Sequence, residues 1–375
     1  MIPVFKPSIG DAELNALKES FSTGWLGLGP RTRQFEEEFA RYIGTAYAVG
    51  TNSATAALHL GLRVLNVEGG EVITTALTFV STNHAILYND AIPVFADVEE
   101  DTLNIDPADV ARLVTPRTRA VMVVHYGGHA CDMDPILKLA GERGLSVVED
   151  AAHGCGGEYK GKKLGSIGDV GCFSFHAVKN LTTGEGGMVT VSREEHASRL
   201  RTLRWLGITQ STYDRSGPRK YSWEYSVEEL GFKSHMNDIA AAIGLVQLGK
   251  LDSLNARRRG IVERYNFVLG TLPWVEVPVE KPYTRSALHN YVIKVPADVR
   301  NELIAFLAER EIATSVHYVP NHLYPVYEPF KRSLPVTERV WKRLVTLPLF
   351  PDLTTAQVDH IVSSVQEFGR LRCLQ

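Results

Sequence analysis

The segment Cys172-Phe-Ser-Phe-His-Ala-Val-Lys-Asn-Leu-Thr-Thr-Gly-Glu-Gly-Gly187 sets one lysine, Lys179, between an aromatic, β-prone run and a Gly/Thr-rich turn. Such a turn holds a side chain at the mouth of a sheet, where glycine lets backbone approach a ligand closely. An amine placed there suits condensation with an aldehyde. Most lysines are solvated surface charges, so the reading needs a second residue. Asp150 supplies it, closing the apolar run Leu145-Ser-Val-Val-Glu-Asp150 upstream. A carboxylate at a strand end and a lysine downstream are the pair that pyridoxal phosphate (PLP) chemistry requires. The carboxylate keeps the pyridine nitrogen protonated, and the lysine bonds to the aldehyde carbon.

Working outward, apolar segments alternate with helix-periodic ones, the pattern of a mostly parallel α/β sheet. Strands are predicted at Ala46–Val49, Glu71–Thr74, Ile92–Ala96, Ala120–Val124, Ser146–Glu149, Gly171–Phe175 and Met188–Val191. Helices are predicted at Arg33–Tyr42, Ala54–Leu65, Pro107–Arg112 and Pro135–Arg143, the last two with proline in the first turn. The stretch Gln210–Trp223 is polar and Gly/Pro-containing and reads as a long loop. Helical periodicity returns at Asn237–Leu251 and continues through Arg257–Gly270, and a domain break is placed near Lys250. The expected division is a large domain over 1–250 and a smaller C-terminal α/β domain over 251–375.

Composition narrows the function. The chain has 375 residues, 44% hydrophobic and 22% charged, ordinary for a large globular protein. Its net charge of −3 provides no basic field for nucleic acid or an anionic membrane. The start Met1-Ile-Pro-Val-Phe-Lys6 lacks a secretory pattern, and no apolar run reaches membrane length, so a cytoplasmic location is expected. Cys131, Cys155, Cys172 and Cys373 show neither metal-ligand spacing nor a disulfide framework. No metal is expected, and Cys172 reads as a buried strand residue.

Further motifs follow in a set order: Gly24-Trp-Leu-Gly-Leu-Gly-Pro30, Gly50-Thr-Asn-Ser-Ala-Thr-Ala-Ala-Leu58, Thr78-Phe-Val80, and Asp97 with Thr102-Leu-Asn-Ile-Asp-Pro107. Then come Val124-His-Tyr-Gly127, Asp132-Met-Asp-Pro135, Glu149-Asp-Ala-Ala-His153, Gly231-Phe-Lys-Ser-His-Met-Asn-Asp238 and Leu347-Pro-Leu349. Together with the lysine segment they run almost end to end. On these motifs the chain resembles the DegT/DnrJ/EryC/StrS family of PLP-dependent sugar aminotransferases. The resemblance implies the aspartate-aminotransferase fold, PLP fold type I.

It also implies roles. Lys179 and Asp150 are the expected catalytic pair. Ser53, Ala54 and Thr55, at a helix start rich in unpaired N–H groups, are expected to hold the PLP phosphate. Ser174 would add a second hydroxyl, Phe79 would cover the ring, and His153 would sit beside the ring hydroxyl or on the Schiff-base side. Read alone, these residues also fit an N-cap, a backbone-satisfied strand serine, a core phenylalanine and a structural histidine. Lys233 and His235 are expected to reach the cofactor of a neighbouring subunit, making a homodimer with composite sites. Many relatives carry asparagine and arginine there, which leaves the division between the two open. Trp25, Leu26, Tyr318 and His322 match segments lining the sugar cleft, with small-domain packing as the alternative for Tyr318 and the histidines. The Ser211–Tyr221 loop, with Arg215, Arg219 and Lys220, would lie near a diphosphate.

The function so implied is transfer of an amino group from L-glutamate to a nucleoside-diphosphate-linked keto sugar, for amino-sugar and polysaccharide synthesis such as that of lipopolysaccharide. The lysine-segment wording favours sugar carbon 4. Sugar 3-dehydratases of this fold carry histidine in place of Lys179, so the lysine argues for transamination. Alternatives are action at sugar carbon 3, amination of a keto-cyclitol, and a PLP-binding regulatory protein without turnover.

Overall fold

Within the strand Ser146–Asp150, neighbouring valines serve different cores. Val147 packs with Val121 and Ile136, whereas Val148 packs with Leu58 and Val72. A strand covered on both faces divides its side chains in this way, and that is why parallel strands read as unbroken apolar runs. The structure is a computed structural model and describes residues 1–217, 220–221 and 223–374.

In chain order the strands are β1 Tyr47–Thr51, β2 Glu71–Thr75, β3 Ile92–Ala96, β4 Thr118–Val124 and β5 Ser146–Asp150. A two-residue ribbon pair, β6 Glu158–Tyr159 and β7 Lys162–Lys163, precedes β8 Val170–Ser174 and β9 Gly187–Val191. A seven-stranded sheet runs in the order β1-β9-β8-β5-β4-β2-β3. Its pairings are parallel except for β9, which is antiparallel to both neighbours. Each expected strand is present within a residue or two of its predicted ends. The first seven helices are α1 Asp11–Thr23, α2 Pro30–Ile43, α3 Ala54–Val64, α4 Val80–Leu87, α5 Pro107–Leu113, α6 Met133–Arg143 and α7 Glu194–Leu203. Among the described residues no helix is long and apolar enough to cross a membrane.

A second core surrounds the antiparallel pair Tyr291–Lys294 and Leu344–Leu347. Leu303 and Leu307 of one helix, and Ile361 and Val365 of another, close over Ile293 and Val345. The N-terminus joins this core: Ile2 packs there and its backbone pairs with Glu311 and Ala313. The helical periodicity that continues past Lys250 forms one helix, Asp238–Leu269. Leu251 and Leu254 keep a buried face through the intervening residues, and no proline interrupts them. Ala241 and Leu251 of this helix pack beside Phe35 and Phe39, while Ile261 and Tyr265 belong to the second core. The Gln210–Trp223 stretch holds a one-turn helix, Thr212–Arg215, and a small ribbon of Ser216–Gly217 with Lys220–Tyr221. Arg219 and the side chain of Lys220 lie outside the described residues.

One contact fixes the entry to this long helix. Helix α2 begins after Gly29, which has no side chain to cap it. The buried carboxylate of Asp238 acts instead. Its Oδ1 accepts from Gly29 N (3.0 Å), Thr32 N (2.9 Å) and Thr32 Oγ1 (2.7 Å), and its Oδ2 from Arg31 N (3.1 Å). Removing it would orphan these donors, each costing about 1–3 kcal/mol when left unsatisfied in the interior. Asp238→Ala is therefore expected to destabilise the fold by about 3 kcal/mol or more, read as a lowered thermal midpoint. A midpoint equal to wild type would show that water replaces the cap.

Candidate active site

The pleat that splits the core also aims the site. Val148 of β5 and Val170 and Cys172 of β8 face the cluster that contains α3. Two residues further along each strand, Asp150 and Ser174 turn to the same face. The strands are neighbours, with Asp150 opposite Cys172. On the other side of β8, Gly187 of β9 lies opposite both Ser174 and Thr51. A Cβ at Gly187 would stand 2.4 Å from the Ser53 carbonyl oxygen. Glycine thus lets the turn before α3 rest directly on the sheet. Ser53 caps α3, its Oγ accepting from Ala56 N at 3.1 Å. The amides of Ala54 and Thr55, earlier in that turn, have no intrahelical acceptor.

These elements enclose a cavity of about 410 Å³, lined by Ser53, Ala54, Thr55, Phe79, Asp150, His153, Ser174, Lys179 and Tyr318. Lys179 comes from the loop between β8 and β9, where its N–H closes a turn on the His176 carbonyl. Asp150 is buried, its Oδ2 accepting from Thr82 Oγ1 (2.7 Å) and its Oδ1 from Ala152 N (3.1 Å). Burial raises its proton affinity above that of an ordinary aspartate, against the opposing pull of Thr82, Ala152 and the Lys179 charge. Burial draws the Lys179 amine down to about 8, with Asp150 partly offsetting the fall.

Around the lysine stand His153, His289 and His317, each pushed toward the neutral form, first by burial and then by the Lys179 charge. His153 Nδ1 accepts from Gly127 N (3.3 Å), so its proton sits on Nε2, which meets Tyr318 Oη at 3.1 Å. The Tyr318 hydroxyl therefore accepts from His153 and keeps its own proton for an acceptor in the cavity. Phe79 is 58% exposed, an apolar ring at the cavity edge.

Other expected residues lie elsewhere. His235 pairs with Thr51 across an isolated bridge and packs edge-on against Trp205. Lys233 Nζ lies 3.4 Å from the centre of the same indole. Neither lines this cavity. Trp25 donates from Nε1 to the Leu28 carbonyl (3.2 Å) and meets Tyr213, and it and Leu26 are outside the cavity as well. Arg215 lies over the Tyr225 ring. His322 corrects the expectation of a sugar contact. It is fully buried, packed near Phe95 with Nε2 3.3 Å from Glu338 Oε1, and cannot reach the cavity. Sequence reading missed Thr82, Asn180 and His289. Only Asn180, adjacent to the lysine, carried a local hint; no spacing pattern marks the other two.

The sequence profile of the DegT/DnrJ/EryC1/StrS aminotransferase family matches residues 7–366. The chain belongs to this family. SpsC of Bacillus subtilis (strain 168), a spore coat polysaccharide biosynthesis protein, is 43% identical over 376 residues, covering 98% of this chain and 96% of its own. The sugar aminotransferase CalS13 from Micromonospora echinospora is 33% identical with a TM-score of 0.90, covering 98% of this chain and 100% of that one. An aminotransferase of Streptococcus pneumoniae solved in a PLP form is 32% identical with a TM-score of 0.92, covering 98% of each chain.

The family member described here is accordingly a PLP-dependent sugar aminotransferase of fold type I. Its residues suit the cofactor. A buried carboxylate whose charge burial disfavours is complementary to a pyridinium N–H. A helix start with free amides and hydroxyls suits a phosphate dianion. An exposed ring at the cavity edge suits an aromatic ligand face.

The neutral imidazoles carry a pH signature. Each of the three binds a proton less readily in the fold than in the unfolded chain, whose histidines titrate near about 6.5. The unfolded state then holds more protons below that pH, and stability falls with falling pH. Asp150 works in the opposite sense, one group against three. For His317 the window runs from the unfolded value down to about 4. The thermal midpoint of the cofactor-free protein is expected to drop between pH 7 and pH 5, and His317→Asn to flatten that slope. A slope unchanged in the variant would exclude His317 as a contributor.

Proposed function

We propose that this enzyme moves an amino group from L-glutamate to the carbonyl of a nucleoside-diphosphate-linked keto sugar, at sugar carbon 4. The product is an amino sugar for a polysaccharide such as lipopolysaccharide. The observation that carries the reading is Lys179, an amine drawn down to about 8 in one cavity with buried Asp150. With that value about a tenth of the amine is neutral at pH 7, against less than about a thousandth for an ordinary lysine. A base available at neutral pH is what proton transfer from carbon requires. The name of SpsC supports the polysaccharide context, and the wording Val178-Lys179-Asn180 with Gly184-Glu-Gly-Gly187 supports carbon 4. Glutamate and the nucleotide rest on the family resemblance.

In this reading the residues divide the work. Bound PLP supplies an electron-accepting ring that makes the hydrogen on the donor's α-carbon acidic. Asp150 stabilises positive charge at the ring nitrogen. Ser53, Ala54, Thr55 and Ser174 would hold the phosphate, and Phe79 would cover the ring. His153 orients Tyr318, whose hydroxyl proton serves an oxygen acceptor. Lys179 Nζ takes the α-carbon proton and returns it when the amino group is passed on.

We extend the proposal to a cytoplasmic homodimer with shared sites. Among the described residues lining the cavity, Lys179 is the sole lysine or arginine, too little positive charge for a phosphate and a diphosphate. Lys233 and His235 follow a segment whose Trp223, Tyr225, Val227 and Leu230 are all exposed, an apolar stretch that a second copy would cover. That copy would carry Lys233 and His235 to its partner's cavity.

Two measurements test the chemistry. The visible absorption band of the PLP-loaded protein should bleach on adding L-glutamate, and nucleotide-linked keto sugars should restore it. A band that ignores glutamate would reject glutamate as donor. Lys179→Ala should abolish the band, and its retention would move the covalent link to another lysine. Asp150→Asn should keep bound PLP while turnover falls by about 10²-fold or more. Near-wild-type turnover would show that another group controls the ring nitrogen.

A further inference from the structure

The Lys179 amine meets an imidazole whose tautomer the fold dictates. Asn180, next in the chain, donates from its amide nitrogen to the Ala287 carbonyl (2.7 Å) and to Asn255 Oδ1 (2.8 Å). A carbonyl only accepts, so the orientation of the Asn180 carboxamide is set, and its Oδ1 is turned to His289 Nδ1 at 3.0 Å. That oxygen accepts as well, so His289 carries its hydrogen on Nδ1. Nε2 is left with a lone pair, and Lys179 Nζ lies 3.5 Å from it.

The imidazole itself is immobilised. It is buried, its ring stacks on Phe5 (5.2 Å between centroids, 4° between planes) and packs against His153 (4.4 Å). Its backbone N–H donates to the Gly127 carbonyl (2.9 Å). The charged and titratable groups acting on it are Lys179, His153, Arg258 and His317, and after burial itself each disfavours a second proton on the ring. Asp150 acts on Lys179 in turn. Nothing in this shell needs a protonated His289. Its one unengaged atom faces the lysine.

We propose that His289 is a positioning residue for Lys179: Nε2 accepts an N–H of the free amine and so aims the nitrogen's lone pair into the cavity, at the carbon whose proton it takes. A lysine head rotates freely about its last bond, and without a fixed acceptor the lone pair samples directions that cannot react. Asn180 sets the acceptor, and Phe5 and His153 hold its plane. The inference rests on the reading of Lys179 as the proton carrier and adds what orients it.

The experiment compares wild type, His289→Leu, which has no acceptor, and His289→Gln, whose amide oxygen can replace Nε2. Reduction of the PLP-loaded proteins with borohydride and peptide mass spectrometry first checks that the cofactor is bound through Lys179. A wild-type adduct on another residue would sink the Lys179 reading itself. In the cofactor-free proteins, the pH dependence of Lys179 labelling by acetic anhydride then reports the amine directly. An acceptor facing the ammonium stabilises it, so the Leu variant should titrate at lower pH than wild type and the Gln variant close to it. The glutamate half-reaction should slow by about 10- to 100-fold in the Leu variant, with little change in KM, and recover in the Gln variant. Wild-type labelling and rate in the Leu variant would overturn the proposal. So would a Gln variant as impaired as Leu, which would assign the loss to ring volume.

Discussion

A carboxylate at the end of a central, buried strand is largely withdrawn from water, and the site is organised around that deficit. Asp150 finds two hydrogen-bond donors, Thr82 and Ala152, and one nearby cation, Lys179. These do not fully offset burial, which leaves it complementary to a further positive charge. The position follows from strand pleat and strand order. Because β5 sits between β4 and β8 with helices on both faces, the side chain two residues beyond Val148 must emerge on the α3 side. Ser174 on the adjacent strand does the same by the same periodicity.

The lysine is governed by the same scarcity of solvent. Burial lowers the amine until a useful neutral fraction exists near neutral pH, and it keeps the three surrounding imidazoles uncharged. A protonated histidine there would compete with the lysine for the field of Asp150. Fixed hydrogen-bond partners, one backbone and one side-chain, settle where each proton lies. Gly127 N–H claims His153 Nδ1, and Asn180 claims His289 Nδ1. The two rings thus present opposite chemistries to the cavity, a donor chain through Tyr318 and an acceptor at His289 Nε2.

Much of the architecture was legible in the chain. The β-strand runs are short, apolar and bounded by turn residues, so the sheet strands could be read to within a residue or two. Where the reading departed from the structure, the cause was tertiary. His322 resembled a sugar contact by its place in a motif, but it closes the core beside Phe95 and Glu338. His289 had no motif of its own, because its meaning depends on Asn180 and Ala287, one far away in sequence and the other two residues before it.

The alternation of strands and helices, the lysine turn, the carboxylate at the strand end and the family are all written in the order of residues along the chain. Each of these is written in residues close together in the chain, where periodicity and turn chemistry act. The strand order that sets Asp150 beside Ser174, the sharing of the N-terminus with the second core, the burial that retunes Lys179 and the tautomers of its histidines arise on folding. Those depend on which distant groups exclude water from one another and which carbonyl or amide each polar atom meets. Desolvation and directed hydrogen bonds exist only once the chain has closed around them.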